Sequence, residues 1–426
     1  MTPQPQGSPS PHPTGPLAPY RLLDLADEKG QLCARLLGEL GADVIKVEPP
    51  GEGDPTRQNG PFFKGEQGPN TSLYWWAMNA GKRSVTCQLR LQPGRELLHR
   101  LVATADIVVE TNPPGSAAGK GLDYATLSAV NPAIILVSIT NWGQAGPFAA
   151  WESADIVASA MGGHMHLNGE PERGPVRTTA PQAFTQVNVQ AAVGALIALY
   201  ARGVNGGVGQ HVDASMQEAM TNAMDNSQQM WDILRINNAG PGVRRNAMGK
   251  PGPRYLFETS DGWVALLQLG GLAGVGANAT IDWLAEHGDA GDLVSSEWRE
   301  RLTSLTPLGE AIGYVEERLA AFCRKWKKED LVAAAQARGL GWAPVFGPRE
   351  IVESKQLAAR DYWVRVQHDD IGQSFIYPGA PWKLSRTPWK QRGRAPACGE
   401  HTAEVYGDLL GMDAAEVRRL KAKMVI

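Results

Sequence analysis

From Tyr20 onward the chain alternates short apolar runs with amphipathic stretches, regularly enough to predict elements one by one. Residues 21–25 (RLLDL) are short and apolar, the pattern of a buried strand. Residues 29–40 place Leu32, Leu36, Leu37 and Leu40 on one helical face; Gly41 follows as a left-handed stop, and residues 44–47 form a second strand. Strand, helix, strand is a βαβ unit. The same rhythm predicts a helix over 94–103, a strand over 107–110, a helix over 124–130 and a strand over 134–139. The unbroken apolar character of these strands is that of strands covered on both faces. An α/β fold with a parallel sheet wrapped by helices follows.

After Gly146-Pro147 the pattern changes. Residues 186–202 predict a long apolar helix and residues 214–233 another, with Met216, Met220 and Met224 spaced four apart on one face. Such a stripe reads as core or subunit contact rather than a ligand site. Residues 251–339 form a smaller pattern: a strand pair around 255–269 turning at Ser260-Asp261-Gly262, then helices containing Trp283, residues 314–326 and residues 329–338. From Pro344 strand and turn signals mix, and a last helix spans 414–423.

Composition narrows the class. At about 100–200 residues per domain, 426 residues predict two or three domains with a core that needs no disulfide staples. Lys and Arg number 41 against 44 Asp and Glu, a formal charge of −3, without the basic excess of a nucleic-acid binder. The longest apolar run, residues 191–201, is well short of the roughly 18–20 needed to cross a bilayer, and no basic segment leads an apolar N-terminal stretch. Neither a membrane nor the secretory route is expected. Cys33, Cys87, Cys323 and Cys398 are scattered without a CxxC pair, as in a reduced, cytoplasmic protein. Only residues 1–16, with six Pro, read as low complexity; a disordered lead is expected over 1–17.

Local motifs carry little chemistry. Gly274-x-Gly276-x-x-Ala279 matches a dinucleotide fingerprint superficially, but no βαβ unit completes it, so a plain glycine loop is favoured. His164-x-His166 has no carboxylate or Cys at ligand spacing, and two ordinary loop histidines are favoured over a metal site. No GxSxG elbow, P-loop, HExxH or EF-hand loop occurs. The default ligand site is the first strand–helix crevice, residues 24–31, where Lys29 could meet a phosphate or simply be solvated.

Longer strings are more specific. LGADVIKVEPPGEGDPTR (40–57), GKRSVTCQLR (81–90), ADIVVETNPPG (105–115), NPAIILVSITNWGQAGPF (131–148), GALIALYARGVNGGVGQHVDASMQEA (194–219) and GEHTAEV (399–405) together resemble the class III CoA-transferases, the group that also contains α-methylacyl-CoA racemases. The resemblance implies a Rossmann-like large domain over 18–235 and 340–426, a smaller α+β domain over 236–339, and two ring-like subunits interlocked as a dimer. It implies no tightly bound cofactor: coenzyme A thioesters are substrates. A family Asp attacks the acyl-CoA thioester to give a mixed anhydride, CoA then forms a thioester with that Asp, and the acceptor acid takes CoA over.

Aligned without a gap from Pro175-Val176-Arg177 to Tyr200-Ala201-Arg202, the nucleophile position falls on Phe184, and no Asp or Glu occurs between Gly174 and Val212. No residue of this chain is therefore expected to be catalytic. At the matching CoA-contact positions Arg90 keeps a basic group, Thr111-Asn112 stand where relatives place Asn-Phe, and Pro49 and Gly119 stand where relatives carry basic residues, with Lys120 beside Gly119; together with Lys29 of the crevice, the expected CoA-binding residues are Lys29, Arg90, Thr111, Asn112 and Lys120. Residues 24–30 also form a crevice loop one residue shorter than usual. These departures imply a weakened CoA site. The racemase branch uses a His-Asp pair, and here Ala154 precedes Asp155. The leading expectation is a nucleophile-free subunit whose sister chain supplies the Asp, as in the two-subunit succinyl-CoA:benzylsuccinate CoA-transferase; the 13 Trp would suit an aromatic acid, although Trp is more often core. A non-enzymatic binding or scaffold homologue, or a homodimer with altered chemistry, are the alternatives.

Overall fold

A computed structural model describes residues 15–170, 172–247, 250–266, 276–303 and 311–426. The chain divides into two compact units. The first comprises Met1–Gly163, Thr179–Ala223 and Gln356–Ile426, and the second His164–Thr178 and Met224–Lys355. The second unit thus takes in residues 164–178, 224–235 and 340–355, which the expected boundaries assigned to the larger domain. Residues 1–14 of the expected lead lie outside the described residues. Its last residue does not behave as a tail: Leu17 is buried and its N–H donates to the Leu40 carbonyl at 3.0 Å.

The first unit opens with β1 (Arg21–Asp24), α1 (Gln31–Glu39), β2 (Asp43–Glu48), α2 (Leu73–Asn79), β3 (Arg83–Thr86), α3 (Gln92–Val102), β4 (Ile107–Glu110), α4 (Tyr124–Val130) and β5 (Ile135–Thr140). It continues with α5 (Asp155–Met161), α6 (Gln182–Val204), β6 (His211–Ser215) and α7 (Met216–Asn222). Six strands form one sheet in the order β3-β2-β1-β4-β5-β6, every pair parallel. β4 and β5 are buried along their whole length, as their apolar runs require. Pattern reading missed β3 (RSVT), too polar to register, and β6 (HVDAS), an edge strand whose exposed positions alternate with less exposed ones.

The predicted 214–233 helix is three elements. Ala214 ends in β6, α7 stops at Asn222, and α8 (Ser227–Leu234) starts after Asp225, whose φ of 55° breaks the helical path. Met216 and Met220 are fully buried in the core, so the stripe is packing.

The second unit holds α8, the hairpin β7 (Arg244–Ala247) and β8 (Lys250–Arg254), then β9 (Leu256–Thr259) and β10 (Gly262–Leu266), which pair antiparallel across the expected Ser260-Asp261-Gly262 turn. Helices α9 (Ala277–Glu286), α10 (Ser296–Thr303), α11 (Ile312–Cys323) and α12 (Lys328–Ala337) follow, and β11 (Trp342–Pro344) completes the sheet β11-β10-β9. α13 (Pro348–Val352) and α14 (Lys355–Ala359) lead out of it. Trp283 is its hub, with ring centroids 4.9 Å from Phe322 and 5.4 Å from Trp342. These tryptophans are core.

The C-terminal segment belongs to the first unit. It contributes the hairpin β12 (Trp363–His368) and β13 (Gln373–Pro378), then α15 (Thr402–Leu410) and α16 (Ala414–Ala422). The sheet's alternation sends Leu22, Val44, Val109 and Val137 to a core with α1, α5, α6 and α7, and Leu23, Ile45, Val108 and Leu136 to a core with α3, α4, α15 and α16.

Candidate active site

The sheet order reverses direction between β1 and β4, the place where open α/β sheets leave a crevice beyond the carboxyl ends of their strands. A cavity of about 680 Å³ lies there, lined by the loops that follow β1, β2, β3 and β4. Lys29, Arg90, Thr111, Asn112 and Lys120, spread over more than ninety positions of sequence, all line it. So do Pro49 and Gly119, the two positions expected to have lost a basic residue.

Their bonds give these residues different roles. The Asp27 N–H donates to Thr111 Oγ1 at 3.0 Å, so Thr111 fastens the crevice loop. Gly30 completes that loop because a Cβ there would lie 2.7 Å from Ala26 Cβ and 2.9 Å from Thr111 Cγ2. Lys29 Nζ is 2.5 Å from Asp27 Oδ2 and so is already paired. Glu110 accepts from both the N–H and Nδ2 of Asn112 at 2.6 Å, and Asn112 Oδ1 in turn accepts from Lys120 Nζ at 2.6 Å. Arg90 is exposed at the rim. Arg95, which sequence reading did not single out, also lines the cavity; its Nη1 donates to the carbonyls of Leu89 and Arg90 at 3.2 and 3.0 Å. The signal available was its place near the start of the helix that follows Arg90.

Beneath the cavity lies a buried charge network. Lys82 Nζ donates to Asp24 Oδ2 (2.7 Å), the Gln31 carbonyl (2.8 Å) and Asn79 Oδ1 (2.8 Å). Burial pushes this ammonium down to about 8, against the pull of Asp24. Lys46 Nζ lies 2.8 Å from Asp54 Oδ2 and also donates to the Ala26 carbonyl. Burial opposes its charge too, but Asp24 and Asp54 outweigh burial and hold its pKa above the ordinary lysine value. Glu48 lines the cavity yet is fully engaged, taking Arg57 Nε and Nη2 at 2.7 Å each and the Asp54 N–H at 2.8 Å. Arg57 in turn stacks 3.7 Å from the Trp75 ring centroid. With the acids engaged, the cations at the rim set the cavity's character, which suits an elongated anionic ligand. Cys87 also lines the cavity; burial pushes its thiol up to about 12, so it offers no thiolate at neutral pH.

Phe184 does not line this cavity. It sits in the first turn of α6, half-buried against the core, and its N–H donates to Asp155 Oδ1 at 3.1 Å. Asp155 thus serves as an external cap for a helix whose own N-cap is Pro181. The buried Asn188 ties this turn to the crevice loop, donating through Nδ2 to the carbonyls of Phe184 (2.6 Å) and Lys29 (2.7 Å) and accepting the Cys33 N–H at 2.7 Å. Nothing in the sequence pattern singled out Asn188.

The other motifs resolve simply. His164 and His166 lie in a short 3-10 turn, His164 Nδ1 meets Asn168 Nδ2 at 3.1 Å, and no metal-holding group of three exists among the described residues. Gly274 lies outside the described residues. Gly276 precedes α9, beside an antiparallel sheet and not in a βαβ unit. The four cysteines are free.

Fold and crevice define a Rossmann-like α/β protein with a cation-rimmed cavity at the carboxyl edge of its parallel sheet. The chain belongs to CoA-transferase family III, whose model matches residues 20–402. It is 33% identical over 412 residues to the succinyl-CoA:(R)-benzylsuccinate CoA-transferase subunit BbsE of Thauera aromatica, covering 94% of this chain and 96% of that one. It is 31% identical to the succinyl-CoA–L-malate CoA-transferase beta subunit of Chloroflexus aurantiacus, covering 97% and 98%. A crystal structure of a CAIB/BAIF family protein from Brucella suis superposes with a TM-score of 0.79 at 28% identity, covering 93% of this chain and all of that one.

Proposed function

We propose that this chain is the nucleophile-free subunit of a heteromeric CoA-transferase that moves CoA from succinyl-CoA or a similar thioester to an organic dicarboxylic acid, aromatic acids included. Phe184 carries the reading: a phenyl ring cannot form an anhydride or a thioester, and it stands where the family's attacking carboxylate falls. The neighbouring carboxylate, Asp155, is committed to the Phe184 N–H. The cavity supports a retained CoA-binding role, with Arg90, Arg95 and Lys120 placed for phosphates and no tightly bound cofactor required.

A partner is supported by α6. Its inner face, with Ala183, Val187, Ala191, Ala195 and Ala198, is buried against the sheet, while Val189, Val193, Ile197, Tyr200 and Val204 form an outward apolar stripe. α6 is the one helix among the described residues long and apolar enough to cross a membrane. The unbroken apolar run, residues 191–201, is only part of this helix. A helix with one face in a core and one apolar face outward fits a protein interface. The sister subunit that covers it is expected to carry the Asp. Both relatives described above are named as subunits, which agrees with this reading.

Reconstitution tests the proposal. The purified chain alone is expected to transfer no CoA from succinyl-CoA to benzylsuccinate or to aliphatic dicarboxylates, and adding an Asp-bearing sister chain is expected to restore transfer. Sustained turnover by the single chain sinks the subunit reading.

A further inference from the structure

The two edges of the parallel sheet are finished differently. At one edge His211 and Asp213 of β6 are exposed. At the other, β3 meets the C-terminal segment. Pairing with β2 uses the backbone groups of Arg83, Val85 and Cys87, so the N–H and carbonyl of Ser84 and of Thr86, and the N–H of Gln88, face outward. All five have a partner in residues 401–425. The Ser84 N–H donates to His401 Nδ1 at 3.2 Å, and the Ser84 carbonyl accepts the His401 N–H at 2.9 Å. The Thr86 N–H donates to Thr402 Oγ1 at 3.2 Å, and the Thr86 carbonyl accepts the Tyr406 hydroxyl at 2.8 Å. The Gln88 N–H donates to the Val425 carbonyl at 2.8 Å.

Thr402 and Tyr406 stand at i and i+4 at the start of α15, so their oxygens share one helix face. Both residues are buried, and both oxygens converge on Thr86, the last residue of β3. The chain beyond Thr86 is the cavity wall: Cys87, Gln88, Leu89 and Arg90 line the cavity in succession, and Arg95 follows from α3. The Arg95 guanidinium is bonded to the Leu89 and Arg90 carbonyls, so both cations move with the backbone of the wall. On the inner side the wall is tied to β2 by the Cys87 N–H, which donates to the Glu48 carbonyl at 2.7 Å. Without the outer ties at Thr86 the wall is free to swing about that inner one. Contacts between guanidinium groups and phosphate depend on fixed geometry, so such a swing acts on binding as well as on packing. Neither Thr402 nor Tyr406 lines the cavity.

We infer that Thr402 and Tyr406 are positioning residues for the phosphate-bearing end of the ligand: acting through Thr86, they set where Arg90 and Arg95 stand, without touching the ligand themselves. The identity of the ligand rests on the CoA reading above. The placement of the two arginines is a property of the chain alone.

The test uses the full chain. Thr402→Val and Tyr406→Phe each remove one oxygen with little change of shape, and Thr402→Ser keeps it. Calorimetry with adenosine 3′,5′-bisphosphate, the nucleotide end of coenzyme A, is expected to show about fivefold weaker binding in the first two, the size of one lost net hydrogen bond, and wild-type affinity in Thr402→Ser. A purely structural role would weaken binding on any background. In a chain carrying Arg90→Gln and Arg95→Gln, the same two substitutions are expected to leave the residual affinity for coenzyme A unchanged. Guanidinium nitrogen NMR, with the Arg95 signal assigned by its loss in Arg95→Gln, reads the arginine without any ligand; that signal is expected to shift in Thr402→Val and Tyr406→Phe and to stay in Thr402→Ser. Urea denaturation confirms that each variant is folded under these conditions. An unshifted Arg95 signal with unchanged bisphosphate affinity in the folded variants overturns the inference, as does a fivefold loss that persists in the Arg90→Gln, Arg95→Gln chain. If the wild type binds neither the bisphosphate nor coenzyme A while the Arg95 signal still shifts, the CoA reading falls and the positioning pair stands.

Discussion

The cavity and the first turn of α6 are two regions of the same unit, joined by one side chain, Asn188, yet they have fared differently. Around the cavity, loops from four strands bring three cations to the rim, and a fully satisfied set of buried charges supports the floor. At the turn, the position expected to do chemistry is filled by a half-buried phenyl ring packed against the core. The difference teaches that the build of the cavity and the identity of residue 184 are independent in this fold. The cavity's shape depends on Lys46, Lys82, Arg57 and their acids, none of which requires an oxygen at position 184.

The most disruptive way to break that contrast is to remove a floor residue. Arg57→Met leaves Glu48 buried without its bidentate partner, and the expected loss of stability is about 3–5 kcal/mol by urea denaturation, with CoA binding lost alongside. Next, Asn188→Leu cuts the link between the two regions: the Lys29 and Phe184 carbonyls lose its amide donor, and the Cys33 N–H keeps only the Gly30 carbonyl at 3.1 Å. It is expected to cost about 1–3 kcal/mol and to weaken coenzyme A binding through the loosened crevice loop. Arg95→Gln is expected to lower coenzyme A affinity about tenfold with little loss of stability, and Lys120→Gln to lower it less, because Lys120 is already bonded to Asn112. Isothermal calorimetry at low and high salt separates the two.

A milder effect follows from pH. Burial holds His401 below its ordinary value, where its neutral Nδ1 accepts the Ser84 N–H at 3.2 Å. A group with a depressed folded pKa binds fewer protons folded than unfolded, so its contribution is complete above about 6.5 and is lost as pH falls below that value. The urea midpoint should drop between pH 7.5 and 5.5, and His401→Gln should flatten that drop. The smallest expected change is none: Phe184→Asp should give no transfer by the chain alone, because position 184 does not line the cavity. Transfer by that variant at a relative's rate would break the comparison outright.

Much of the first unit was legible in the sequence because two-sided burial leaves continuous apolar runs: β1, β4 and β5 read directly. β3 and β6 did not, since RSVT and HVDAS carry one strong apolar residue each, and β6 sits at an edge. Of the five cavity residues, Lys29 was legible from the strand–helix crevice and the other four only by resemblance; no spacing pattern joins Lys29 to Lys120, because the sheet's crossover and not local sequence brings them together. Arg95 escaped as an ordinary helix arginine. Lys46 and Lys82 escaped because a lysine within or beside a strand gives no sign that a carboxylate from another strand will meet it. Thr140 and Asn141 lie at the end of an apolar strand, where only the three-dimensional surroundings reveal that Thr140 Oγ1 and Asn141 Oδ1 are buried without a hydrogen-bond partner among the described residues.

The central claim is that this chain holds substrate and a sister chain does the chemistry. Its most direct test is to trap the covalent intermediate of the reconstituted complex with succinyl-CoA and map it by mass spectrometry. The account predicts an adduct on an Asp of the sister chain and none on this one; an adduct on Asp155, Glu152 or any other residue of this chain would contradict it.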